Sequence, residues 1–261
     1  VPDQVPVLLV EGQGGLPEPQ QELFYVRTAL GSVGDRTRPV FGVKTILPQQ
    51  IGQEVLADQA VIILGDVSNA SAESADQLER FVTDGGGLVI FCGEQSGTKA
   101  EVGKSALDRL LIDRLERFER TDGEAAALGL RVAADDHPCI TEIATHGRGG
   151  LGSVHVTGRW RSKPVAIEIG ATTLIAFSDG VPAIRVATKG RGRIVTFATG
   201  ANMQWSNLPA KPDFVPLILN IVSYAAGGQS AQRDLEVGEK LEMAIAMGDA
   251  RQGHVIQRAD C

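Results

Sequence analysis

Three short apolar runs constrain the fold of this chain more than any other feature: VPVLLVEG (5–12), AVIILGDV (60–67) and GLVIFCG (87–93). None shows the polar alternation of a half-solvated strand, so each reads as a strand buried on both faces. Amphipathic segments lie between them. PQQELFYVRTALGSV (19–33) carries Leu23, Val26, Ala29, Leu30 and Val33 at helical spacing, with Gly34 beyond as a stop signal. VKTILP (43–48) reads as a second strand and IGQEVLAD (51–58) as a short helix. Ser71 or Ser74 can cap the next helix, whose Ala75, Leu78, Phe81 and Val82 form one face before Gly85-Gly86-Gly87 ends it. Strand and helix alternating at this spacing predict right-handed βαβ units and a parallel sheet with helices on both faces.

SALDRLLIDRLERF (105–118) has an apolar stripe and predicts a helix. From 129 to 170 come short β-type pieces, GLRVAA, SVHVTGRW and PVAIEI, which form a β-rich insertion or extension. TTLIAFSDGVPAIRVATKGRGRIVTFATGA (172–201) reads as three consecutive strands, turning at Ser178-Asp179-Gly180 and Lys189-Gly190-Arg191-Gly192. PDFVPLILNIVSYAAGG (212–228) predicts a closing helix with Pro216 near its first turn and Gly227 at its end. One domain therefore spans 1–228, and 229–261 reads as the start of a following module or a C-terminal tail. With 261 residues and 43% hydrophobic content the chain can bury a substantial core. The formal charge of −7 argues against nucleic acid or an anionic membrane as partner. No apolar run approaches the roughly 20 residues that span a bilayer. The chain opens on Val1 without a signal-peptide pattern, and we read it as a segment of a longer protein. Its three cysteines form no CxxC pair and rule out a disulfide framework.

Several motifs imitate chemistry. Gly103-Lys104-Ser105 follows Gly97 with five intervening residues, whereas a phosphate-cradling loop needs four, so it reads as a surface loop. Gly147 to Gly152 satisfies GxGxxG but precedes β-type sequence; Gly12-Gln13-Gly14-Gly15-Leu16-Pro17 is better placed but has proline at the third glycine. His137, Cys139, His146 and His155 match no ordinary zinc spacing and read as solvated loop histidines and a cysteine. Cys92 follows a parallel strand, where an elbow nucleophile belongs. Ile90 and Glu94 stand where such an elbow needs small residues, and no histidine occurs between 156 and 253. It reads as a buried small hydrophobe. Glu11, Asp66 and Glu94 directly follow the first, third and fourth strands, so their carboxylates can converge where open α/β sheets bind ligands. With Gly12, Gly93 and Gln95 they make a candidate crevice for a small ligand or a divalent cation. Basic neighbours could equally pair them.

VLLVEG, the Asp ending AVIILGDV, and LERFVTDGGGLVIFCGEQ together resemble the class I glutamine amidotransferase-like superfamily, in its non-catalytic branch. Asp136-His137-Pro138, SDGVPAIRV, LEVGEK and especially W-S-N-L-P-x-x-P-x-F-V-P-L (205–217) further resemble a domain of large Bat-type, aerotolerance-like membrane proteins of planctomycete-like bacteria. There it follows a membrane anchor and a von Willebrand factor A domain. The resemblance implies a flavodoxin-like three-layer α/β sandwich with a mostly parallel sheet. Catalytic members carry Cys in a glycine-flanked elbow and a His-x-Glu pair after a late strand; at that late position stand Ala201, Asn202 and Met203. We therefore expect a non-enzymatic scaffold, interaction or ligand-sensing module with no catalytic residues, metal or cofactor. Its partners would be other domains of the parent protein or separate proteins. The alternatives are ligand or cation binding in the crevice and a Cys92-dependent amidohydrolase.

Overall fold

A computed structural model of the chain describes residues 4–35, 38–68, 70–97, 106–121, 126–146, 150–164 and 170–230. The chain divides into one unit over Val1–Ala231, which contains all the described elements, and another over Gln232–Cys261. In chain order its strands are β1 (Val5–Glu11), the short β2 (Gly34–Asp35) and β3 (Arg38–Pro39), β4 (Phe41–Ile46), β5 (Val61–Gly65) and β6 (Gly87–Phe91). Then come β7 (Asp113–Arg120), β8 (Leu130–Val132), β9 (Gly158–Pro164), β10 (Thr172–Phe177), β11 (Pro182–Lys189) and β12 (Gly192–Phe197). The helices are α1 (Phe24–Gly31), α2 (Ala72–Thr83), α3 (Thr141–His146) and α4 (Phe214–Ser230).

Eight strands form one sheet in the order β4-β1-β5-β6-β12-β11-β10-β8. The first five run parallel, and β11, β10 and β8 continue as an antiparallel meander. The parallel part has the flavodoxin-like order, in which the chain leaves β1 for β4 and then crosses back to β5. The flavodoxin-like α/β sandwich expected from the sequence is thus the fold observed. Alternation along the buried strands builds its layers. Val7, Leu9 and Ile63 pack with α1 and α4 on one face, while Leu8, Val10, Ile62 and Leu64 pack with α2 on the other. Ser71 is the cap of α2, accepting the Ser74 N–H at 3.0 Å.

Residues 106–118 depart from the helix expected over 105–118. A single 3-10 turn at Asp108–Leu110 is followed by β7, which pairs antiparallel with β9 in a separate two-stranded arm. Cross-strand charges hold this ribbon extended: Glu119 accepts from Arg161 at 2.8 Å and from Arg159 at 3.0 Å, and these bonds keep its carboxyl down at about 2. The expected helix at 51–58 is likewise two 3-10 turns, Pro48–Gln53 and Leu56–Asp58. α1 is shorter than its periodic stretch, and α4 runs through Gly227 to Ser230. Gly103-Lys104-Ser105, Gly147-Arg148-Gly149 and most of PVAIEI (165–169) lie outside the described residues. No helix among the described residues is long and apolar enough to cross a membrane.

The tight turn into β12 needs its glycine. A Cβ on Gly192 would stand 2.1 Å from the Val82 carbonyl oxygen and 2.3 Å from that of Gly86, whereas Gly152 faces open space. Gly192→Ala should therefore cost about 2–3 kcal/mol in urea denaturation. Gly152→Ala should stay within about 0.5 kcal/mol.

Candidate functional site

At the carboxyl edge of the sheet, Glu11 ends β1 and turns its carboxylate onto the entry of α1. Oε1 accepts the Glu22 N–H at 2.8 Å and Oε2 the Leu23 N–H at 3.0 Å, as an acidic group does at a helix N-terminus. Asp66 follows β5 with φ of +48°, the only described non-glycine residue in the left-handed region, a conformation aspartate tolerates better than most. Its N–H donates to the Phe91 carbonyl at 3.0 Å. Its side chain reaches over the end of β6, accepting from the Gln95 N–H at 3.2 Å and the Ser96 hydroxyl at 2.9 Å. Two glycines make room for this turn. A Cβ on Gly12 would lie 2.1 Å from the Asp66 carbonyl oxygen, and one on Gly93 would lie 2.5 Å from Asp66 Cγ.

The structure thus gathers Glu11, Gly12, Asp66, Gly93 and Gln95 but not Glu94, which forms an ion pair with Arg120 of β7. In its place stands Glu22, which the sequence reading missed. Glu22 enters from the turn before α1 and accepts the Ala201 N–H. Gly200 lets it approach: a Cβ there would sit 2.6 Å from Oε1. Burial above all, with the nearby Asp66 and Glu11 charges adding, pushes the Glu22 carboxyl up to about 8. Burial likewise raises Glu11 and Asp66, against the N–H groups that bond them. One signal for Glu22 was available: it falls in phase with Val26 and Ala29 on the apolar stripe. No group of three His, Cys, Asp or Glu among the described residues is arranged to hold a metal ion.

Cys92 is fully buried, and its N–H donates to the Phe197 carbonyl at 3.0 Å. Burial raises its thiol, and the surrounding charges of Asp66, Asp108, Asp113 and Glu22 raise it further. The strained turn of this edge belongs to Asp66, one strand away. The β7–β9 arm meets this edge at Gly93, the residue after Cys92. Trp160 is 2% exposed, donates its indole N–H to the Gly93 carbonyl at 2.7 Å and shares one apolar cluster with Cys92. Trp205 supports the arm from beneath, edge-on to Phe118 at 5.2 Å and with Arg120 4.9 Å from its ring.

The histidines lie elsewhere. His137 is half-buried rather than solvated, with its ring 5.0 Å from Tyr224 and Nδ1 accepting the Cys139 N–H at 3.3 Å. Burial lowers its pKa and pushes the buried Cys139 thiol up to about 12. His155 is exposed as expected, and His146 closes α3. At the late-strand position Ala201 and Asn202 are buried and Met203 is exposed.

No family model matches the sequence, nor does any curated protein. Solved structures resemble it in fold. A cytoplasmic protein of Salmonella typhimurium superposes with a TM-score of 0.65 at 12% identity, over 84% of this chain and 98% of that one. A ThuA-like protein of Parabacteroides merdae gives 0.55 at 15% identity, over 86% and 91%. A β-galactosidase from Bacillus circulans sp. alkalophilus gives 0.59 at 14% identity, where 85% of this chain covers 31% of that one. The chain thus shares the α/β fold of a ThuA-like protein.

The buried carboxyls set a pH dependence of known sign. Glu22 holds its proton more tightly folded, at about 8, than in its ordinary state at 4.5. Its contribution to stability is complete below the lower value and is lost as pH rises through the upper one. Glu22→Gln should therefore raise Tm relative to the parent chain by more than about 4 °C at pH 8 and by much less at pH 5. A difference that does not grow with pH would contradict the assignment.

Proposed function

We propose that the chain is a non-enzymatic module with the glutamine amidotransferase-like fold, serving as a scaffold or interaction domain of a larger protein. One observation carries this reading: the cysteine at the end of the fourth parallel strand is fully buried in an apolar cluster shared with Leu107, Leu111 and Trp160, with its thiol pushed toward the neutral form. A nucleophile must be exposed and ionisable, and this thiol is neither. The crevice does not favour a sensing role over an interaction role, because backbone N–H groups already engage Glu11, Glu22 and Asp66. The fold of the similar β-galactosidase match occupies about a third of a longer chain, which agrees with a modular role. The WSNLP segment supports a finer proposal, that the parent is a Bat-type membrane protein in which a von Willebrand factor A domain precedes this one.

Incubated with glutamine, the protein and its Cys92→Ser variant should release ammonia no faster than buffer. Turnover that Cys92→Ser abolishes would overturn the proposal. The immobilised domain should also retain adjoining segments of its parent polypeptide, and retention of none would remove the interaction role.

A further inference from the structure

The β7–β9 arm meets the main sheet over β11 and β12 through a polar junction. Arg185 and Thr196 stand opposite one another in the β11–β12 ladder, so their side chains leave the same face. Asp113 and Ser162 approach from the arm. Arg185 Nη1 donates to Asp113 Oδ1, the Ser162 hydroxyl donates to Asp113 Oδ2 at 3.4 Å, and Arg185 Nη2 reaches the Ala171 carbonyl at 3.4 Å. Two buried atoms at the centre of this arrangement, Arg185 Nε and Thr196 Oγ1, have no hydrogen-bond partner among the described residues. Both residues line a cavity of about 10 Å³, closed by Asp113, Leu115, Ser162, Pro182, Ala183 and Ala198.

Size and lining together decide what belongs there. About 10 Å³ accommodates one water-sized sphere and nothing larger. A cavity of equal volume lies beside Cys92, but Leu64, Val67, Ile90, Leu107 and Leu111 dominate its walls, and apolar cavities of this kind stay dry. The junction cavity offers four groups, a cationic N–H, two hydroxyls and a carboxylate, which meets the two to four partners a buried water needs. Small residues at 183 and 198 keep the space open on the sheet side.

We infer that this cavity is a binding site for a single structural water. It accepts from Arg185 Nε and bonds the Thr196 hydroxyl, leaving its own hydrogens for the oxygens of Asp113 and Ser162. The water hydrates a buried ion pair whose members would otherwise lose solvation, and it couples the arm to the sheet.

Thr196→Val tests this because the sign of its effect depends on the water. With a water bound, valine removes one of its anchors and leaves Arg185 Nε unsatisfied, so Tm should fall by about 3 °C or more. Without one, valine replaces an unsatisfied buried hydroxyl by a methyl group, and Tm should hold or rise. A high-resolution crystal structure should show a density peak within about 2.7–3.2 Å of both atoms, lost in Thr196→Val and kept in Thr196→Ser. An unchanged or raised Tm for Thr196→Val, or parent density without that peak, would overturn the inference.

Discussion

The hydrogen bond from the Trp160 indole to the Gly93 carbonyl fixes the character of this fold. Open parallel sheets leave a crevice beyond the carboxyl ends of their strands, and ligands and nucleophiles gather there. Here the chain itself fills that place over β6 and β12. A second bond, from the Trp160 N–H to the Ala198 carbonyl at 2.7 Å, ties the arm to the end of β12, and the Thr199 hydroxyl returns a bond to the Gly158 carbonyl at 2.7 Å. The indole buries its apolar body against the cluster around Cys92 and satisfies its polar tip at the same time.

What remains of the edge, over β1 and β5, is acidic and crowded. Glu11, Glu22 and Asp66 come together, and among the described residues no basic side chain is bonded to any of them. Coulomb repulsion and lost hydration would make three ionised carboxylates costly there. The fold answers with backbone N–H donors and with a proton held on Glu22 near neutral pH. Gly12, Gly93 and Gly200 let backbone and carboxylate approach this closely. Asp66 carries the backbone strain and is held by hydrogen bonds from Gln95 and Ser96.

The strands buried on both faces were legible in the sequence because their signal is local: β1, β5 and β6 are runs of apolar residues bounded by glycine or acid. The three-strand meander was legible through its turns, with Gly180 at φ of +91° and Gly190 at +61°. The segment 105–118 was not, for a physical reason. Leu107, Leu110, Leu111, Leu115 and Phe118 fit a helical stripe, but the partners that hold 113–120 extended are Arg159, Arg161 and Trp160, some forty residues on. Local periodicity carries no record of such pairing. The same non-local fact hid the bond from Trp160 to Gly93. In the crevice, Glu94 was misplaced because Arg120 draws it to the arm, and Glu22 was overlooked because an acid beside a helix start ordinarily faces water.

A closed edge requires that the Cys92 thiol be inaccessible in the folded protein. Peptide mapping of the folded protein after exposure to iodoacetamide should find Cys92 unmodified, with alkylation appearing only as denaturant unfolds the chain and in step with the unfolded fraction. Alkylation of Cys92 in the native state at the rate of a free cysteine peptide would show an open, ionisable thiol, and would contradict the closed edge described above.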